Sequence, residues 1–176
     1  MTACLWNPPP VPSLSVHGRR ERLPVPRQFF VGRNYHAQAL AMGKPVDKAN
    51  ERPFHFTKSP STLLKSGATA AYPPQAQSYH CAMELALVIG KAGFQIAGEQ
   101  ALGHIWCHAC GLDMRRRDLQ LAAGDKGRPW DLGKDVEHGS VIAPVLHMPG
   151  VVLEQGELAL AVNGQFKQKS DLAKLI

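Results

Sequence analysis

No stretch of the 176 residues approaches the roughly eighteen consecutive apolar positions that a membrane helix needs. The N-terminus, MTACLWNPPPVPSL, has no basic leader ahead of a long apolar run, so a secretory signal is not expected. Cysteine is scarce. Cys4, Cys81, Cys107 and Cys110 are too few to scaffold a chain of this size by disulfides, and a reducing cytoplasm is the simplest compartment. Nor is positive charge gathered on a folded part. Lys and Arg outnumber Asp and Glu 20 to 14, but Arg19, Arg20, Arg22 and Arg27 precede position 28 against Glu21 alone, so the remainder holds only +3 of the net +6. A nucleic-acid module would concentrate basic and aromatic residues on its folded surface. Neither nucleic acid nor membrane is therefore an expected partner, and the small surplus suits attraction of a small anion.

What is present describes one globular domain: 44% hydrophobic and 19% charged residues, with no internal repeat. Six of the fourteen prolines fall in the first 27 positions, so residues 1–28 read as a Pro-rich extended arm and 29–176 as the domain. Apolar Phe29-Phe30-Val31 before Gly32 suggests a short strand. The segment 34–42 suggests a helix capped by Asn34 and ended by Gly43-Lys44-Pro45. Alternation predicts strands at Phe54–Lys58 and, most clearly, at Tyr79–Ile89. A short helix is expected near Ala97–Leu102. A second apolar strand is expected over Ile105–Leu112, closed by Asp113, with helical spacing after it. The Asn163-Gly164 pair predicts a hairpin between 158–162 and 166–168. The fold class is α+β, mainly β, with short helices between strands.

Along 79–89, strand period places His80, Ala82, Glu84 and Ala86 on one face. Glu84 in such apolar company is costly to bury unless paired or metal-bound; a wet face for this strand is the plainer alternative. Asp113 emerges at the end of the next strand, and two converging carboxylates suit a hard cation. Cys107-His108-Ala109-Cys110 invites a zinc reading, but no second CxxC or HxxxH pair completes four ligands, and buried structural thiols are favoured. Arg115-Arg116-Arg117 reads as a solvated helix face, or as a bidentate grip on a carboxylate beside Asp113. Lys134 can do the same as a point charge.

The segments FVGRNY (30–35), MELALVIGK (83–91), GLDMRRRDLQ (111–120) and RPWDLGKD (128–135) stand in the order found in the fumarylacetoacetate hydrolase family, which this chain resembles from about residue 29 onward. MGKPVDKANERPFHFTKSP and KGRPWDLGKDVE resemble its fumarylpyruvate hydrolase branch, which cleaves acylpyruvates in gentisate catabolism. The resemblance implies a mixed β fold, usually homodimeric, around Mg2+ or Mn2+. It implies hydrolysis of a carbon–carbon bond beside a ketone, yielding fumarate and pyruvate from fumarylpyruvate. By the same resemblance Glu84 and Asp113 are metal ligands, with Ala82 where a third carboxylate is usual. Arg33, Arg117, Gln120 and Lys134 are substrate contacts, Lys134 also taking part in catalysis. Gln38 and Ala41 occupy the positions of the family's His/Glu water-activating dyad.

These departures bear on the chemistry. Gln38 cannot take a proton at neutral pH and Ala41 cannot orient a neighbour, and loss of a general base typically costs about 10²–10⁴-fold in rate. Impaired hydrolysis is the expectation. The alternatives are a non-catalytic oxoacid-binding or dimerisation partner, and keto–enol isomerisation or decarboxylation, which need less water activation. Family members usually continue past this point into a TGTP-x-GVG loop, so the fold is expected to be incomplete at its C-terminus.

Overall fold

The computed structural model describes residues 4–41, 43 and 45–176. Its centre is a mixed sheet. Strand β6 (Tyr79–Ile89) pairs antiparallel with β7 (Ile105–Arg116) along almost its whole length. Beside β7 lie β8 (Ser140–Ile142) and then β5 (Leu63–Lys65), giving the order β5-β8-β7-β6, while β9 (Leu146–His147) also pairs with β7. Three two-stranded ribbons surround it. They are β1 (Ser13–Ser15) with β2 (Arg22–Pro24), β3 (Gln28–Gly32) with β4 (Phe54–Lys58), and β10 (Glu157–Val162) with β11 (Gln165–Asp171). Helices are short: α1 (His36–Ala41), α2 (Gly98–Ala101), α3 (Arg117–Gly124) and α4 (Asp131–Lys134). The class is mainly β, as expected, and the β6, β4 and Asn163-Gly164 hairpin predictions agree with the elements observed.

Two expectations change. Residues 13–25 do not trail as an arm: Leu14, Val16 and Val25 are buried in the core with Cys107, Ala109 and Val145. The segment Ser13-Leu14-Ser15-Val16 alternates polar and apolar, and that period outweighs the surrounding prolines. His17 N–H donates to Val145 O at 2.9 Å and Val145 N–H to Ser15 O at 2.9 Å, stitching the ribbon to the sheet. Second, β7 does not close at Asp113. Its ladder with β6 runs on to Arg116 opposite Tyr79, and the helix starts only at Arg117. Asp113 is thus a mid-strand residue. Of the CxxC thiols, Cys107 is buried as expected but Cys110 is exposed, since an odd spacing of three along a regular strand puts the two on opposite faces. Met42 and Lys44, within the predicted helix and its stop, lie outside the described residues.

One face of the β6–β7 pair serves two purposes. Toward one end Val88 and Ala86 lie opposite Cys107 and Ala109 and pack into the core. Toward the other, Glu84 lies opposite Gly111 and Ala82 opposite Asp113. The apolar residues give way to carboxylates where the face leaves the core and enters a cleft.

Candidate active site

That cleft has a volume of about 920 Å³ and is lined by β3, α1, β6, β7, α3, α4 and β11. Asp113 lies at its floor, only 3% exposed. A buried carboxylate requires cationic partners, and it has three. Lys58 Nζ stands 2.8 Å from Oδ1, Lys134 Nζ donates to Oδ2, and Arg115 reaches Oδ2 at 3.5 Å. Lys58 is the one cation beside Oδ1, and a carboxylate oxygen has two lone pairs, so Oδ1 keeps capacity for a further partner. The ammonium of Lys58 also donates to Met114 O at 2.7 Å and to Gly139 O.

The lysines sit on aromatic faces. Lys58 lies 5.1 Å from the Phe30 ring centre and Lys134 4.3 Å from that of Phe56, and the two rings stack at 5.4 Å. Burial pushes the Lys134 ammonium down to about 8, against the opposing pull of Asp113. Burial lowers Lys58 in the same way. Glu84 is a diagonal neighbour of Asp113 on the shared face. No hydrogen bond or ion pair holds it among the described residues, and burial together with the charge of Asp113 pushes its carboxyl up to about 7.

The remaining predicted residues divide. Arg117 lines the cleft and donates to Gln120 Oε1 at 3.1 Å, Gln120 itself being buried. Gln38 and His36 line the cleft from α1. Ala41 closes α1; its side chain lies outside what is described. Arg33 lines the cleft too, but it is paired with Glu51 at 3.4 Å. Lys58 was missed by sequence reasoning. Its only signal was a lysine ending the otherwise uncharged alternation Phe54-His55-Phe56-Thr57, on a strand whose burial is greatest at that residue. Altogether Arg33, Arg115, Arg117, Lys134, Lys167, Lys169 and Lys174 line the cleft against Glu84 and Asp113, so its field favours an anionic ligand.

Among the described residues no group of three or more His, Cys, Asp or Glu side chains is placed to share a metal ion. The pair Glu84 and Asp113 still fits a hard divalent cation by donor type. Glu84 has no hydrogen-bond or ion-pair partner among the described residues, Asp113 Oδ1 has a second lone pair beyond its Lys58 contact, and such ions complete their shell with water and ligand oxygens. The neighbouring Lys58, Lys134 and Arg115 work against tight binding, since Ala82 leaves two carboxylates facing three cations. No helix among the described residues is long and apolar enough to cross a membrane.

Residues 27–176 match the family described as fumarylacetoacetate (FAA) hydrolase C-terminal. The chain is 61% identical over 135 residues to a fumarylpyruvate hydrolase of Ralstonia sp., covering 77% of this chain and 70% of that protein. It is 37% identical over 142 residues to a mitochondrial oxaloacetate tautomerase of Arabidopsis thaliana, covering 79% of this chain but 61% of that one, less than two thirds. Among solved structures, fumarylpyruvate hydrolase from Pseudomonas aeruginosa in complex with Mn2+ and pyruvate superposes with a TM-score of 0.88 at 39% identity, over 98% of this chain and 76% of that one.

Proposed function

The chain belongs to the fumarylacetoacetate hydrolase family, and from that premise we propose that its cleft takes an acylpyruvate such as fumarylpyruvate and a divalent cation. The observation that carries this reading is the placement of Glu84 and Asp113 on one sheet face, at the floor of a cleft whose other charged residues are Arg and Lys. Glu84 and Asp113 would hold Mg2+ or Mn2+. When bound, the ion supplies Lewis-acid polarisation of the substrate's oxygens and a template for its dicarbonyl.

This chain's residues do the rest. Arg117, held by Gln120, offers a planar donor pair to a substrate carboxylate. Lys134 and Lys58 flank Asp113 at the floor of the site and balance its charge. Hydrolysis requires a water proton to be removed as its oxygen attacks the distal carbonyl, and the carbon–carbon bond breaks toward the pyruvate half. Gln38 and Ala41 provide no acceptor for that proton, so turnover is slow. The absence of a base at those two positions also favours a second reading, keto–enol tautomerisation or decarboxylation of a small oxoacid. Relatives named as oxaloacetate tautomerase and, in Dictyostelium discoideum, oxaloacetate decarboxylase lend that reading support. A non-catalytic oxoacid-binding role is the limiting case of the same deficiency. Homodimerisation and a cytoplasmic location complete the proposal; the four free thiols suit a reducing compartment.

Ultraviolet-monitored turnover of fumarylpyruvate and of oxaloacetate, each with added Mg2+, tests the choice. Slow fumarylpyruvate cleavage abolished by Asp113→Asn supports the first reading. Fast oxaloacetate tautomerisation with no cleavage supports the second. Binding of oxalate independent of metal, with neither reaction, leaves only an oxoacid-binding role.

A further inference from the structure

The two lysines on Asp113 come from separate elements, the last residue of β4 and the last residue of α4, and each is followed by one partner of a second contact. Ser59 follows Lys58 and Asp135 follows Lys134. Ser59 N–H donates to Asp135 Oδ1 at 2.7 Å and Ser59 Oγ donates to Asp135 Oδ2 at 2.6 Å, so both carboxylate oxygens are engaged by one residue. Ser59 is in turn anchored, its carbonyl accepting from Gln28 Nε2 at 3.0 Å and from Thr62 Oγ1 at 2.7 Å. Lys134, by contrast, rides on α4, a single turn of four residues. A helix so short has no stability of its own, and its position depends on the contacts around it, Gly133 against Gln120 and Trp130 against Phe54 on one side and Asp135 on Ser59 at its end.

We propose that Asp135 is a positioning residue: by clasping Ser59 it holds Lys134 against Asp113 opposite Lys58, and thereby fixes the carboxylate that faces the ligand. The inference rests on the proposed oxoacid site, deepening it without adding a catalytic group. Asp135 is not among the residues that line the cleft, and its carboxylate is spent on Ser59.

Two readouts test it. Reductive methylation followed by peptide mass spectrometry reports how often Lys134 leaves Asp113. Calorimetry with oxalate and MnCl2 reports the ligand site. Loss of a doubly bonded carboxylate in D135A should speed methylation of Lys134 about tenfold and weaken oxalate about tenfold. D135N keeps one acceptor and lets Ser59 Oγ accept from the new amide, so it should stay within about threefold of wild type. The double variant S59A/D135A should be no worse than D135A. Wild-type methylation rates in D135A, or D135N as fast as D135A, would overturn the inference. If D135A does not fold, S59A tests the hydroxyl half of the clasp with every charge and the Ser59 N–H bond retained, and should speed methylation of Lys134 about threefold; an unchanged rate would overturn the inference. Should the wild-type protein itself fail to take oxalate with Mn2+, the oxoacid reading falls while the methylation ratios still decide the clasp.

Discussion

Ala82 faces Asp113 directly across the β6–β7 ladder and is 6% exposed. A carboxylate there would bring the local acids to three, against Lys58, Lys134 and Arg115. Ala82→Glu is therefore expected to raise Mn2+ affinity on the order of tenfold, the effect of one added charge-assisted contact of roughly 1.4 kcal/mol. Unchanged Mn2+ binding by calorimetry would remove Ala82 from the metal site. Glu84 makes a different prediction. Its carboxyl is held near 7 in the metal-free fold rather than at its ordinary 4.5. The fold thus favours the protonated form. The stability this confers is complete below the ordinary value and is lost as pH rises through about 7, by up to an order of 3 kcal/mol. Urea midpoints of chelator-treated protein should fall between pH 4.5 and 7.5, and Glu84→Gln should flatten that fall; an unflattened curve assigns the titration elsewhere. Gly133 is a matter of space. A Cβ there would lie 2.7 Å from Gln120 N and 2.9 Å from its Cα, so Gly133→Ala must push α4 from α3. A loss of about 1–3 kcal/mol is expected, read as a lower Tm, together with weaker oxalate binding as Lys134 shifts.

At the scale of elements, β6 is the outer strand of the central sheet, and its free edge is met by a side chain. Gln168 Oε1 accepts from Met83 N–H at 2.8 Å while its Nε2 donates to Cys81 O at 3.2 Å, the two bonds a neighbouring strand residue would make. Gln168→Leu removes both and should accelerate hydrogen exchange at the Met83 amide by roughly tenfold or more, at about 1 kcal/mol per bond. An unchanged rate would mean the edge is protected by other means. The strands themselves were legible because their signals are local. Period-two alternation marked β6 to the residue, and Asn-Gly marked the β10–β11 turn. The extent of β7 was not legible, because Asp113, Arg115 and Arg116 are poor strand residues held there by the ladder to Tyr79–Ala82 rather than by their own preference. The β1–β2 ribbon was obscured for the opposite reason: its period is only three residues long and sits among prolines. Lys58 was illegible as a site residue, since its partner Asp113 lies 55 positions away and nothing in FHFTKSP announces burial.

For the molecule as a whole, a single sheet face is core at the Val88–Cys107 end and ligand cleft at the Ala82–Asp113 end, so the floor of the site inherits the rigidity of the core. The cationic walls come from four separate parts of the chain (Arg33 after β3, the β7–α3 junction, α4, and β11 with Lys174 beyond it) and converge only in the fold. That convergence explains why the sequence, with its modest net charge, revealed the acids of the site more readily than its field. The central claim is that Glu84 and Asp113 take a divalent ion jointly with an oxoacid. Electron paramagnetic resonance titration of Mn2+, with and without oxalate, addresses it most directly. We expect oxalate to tighten Mn2+ binding at least about tenfold, with the effect lost in Asp113→Asn and in Glu84→Gln. Mn2+ binding indifferent to oxalate, or unaltered in both variants, would contradict it.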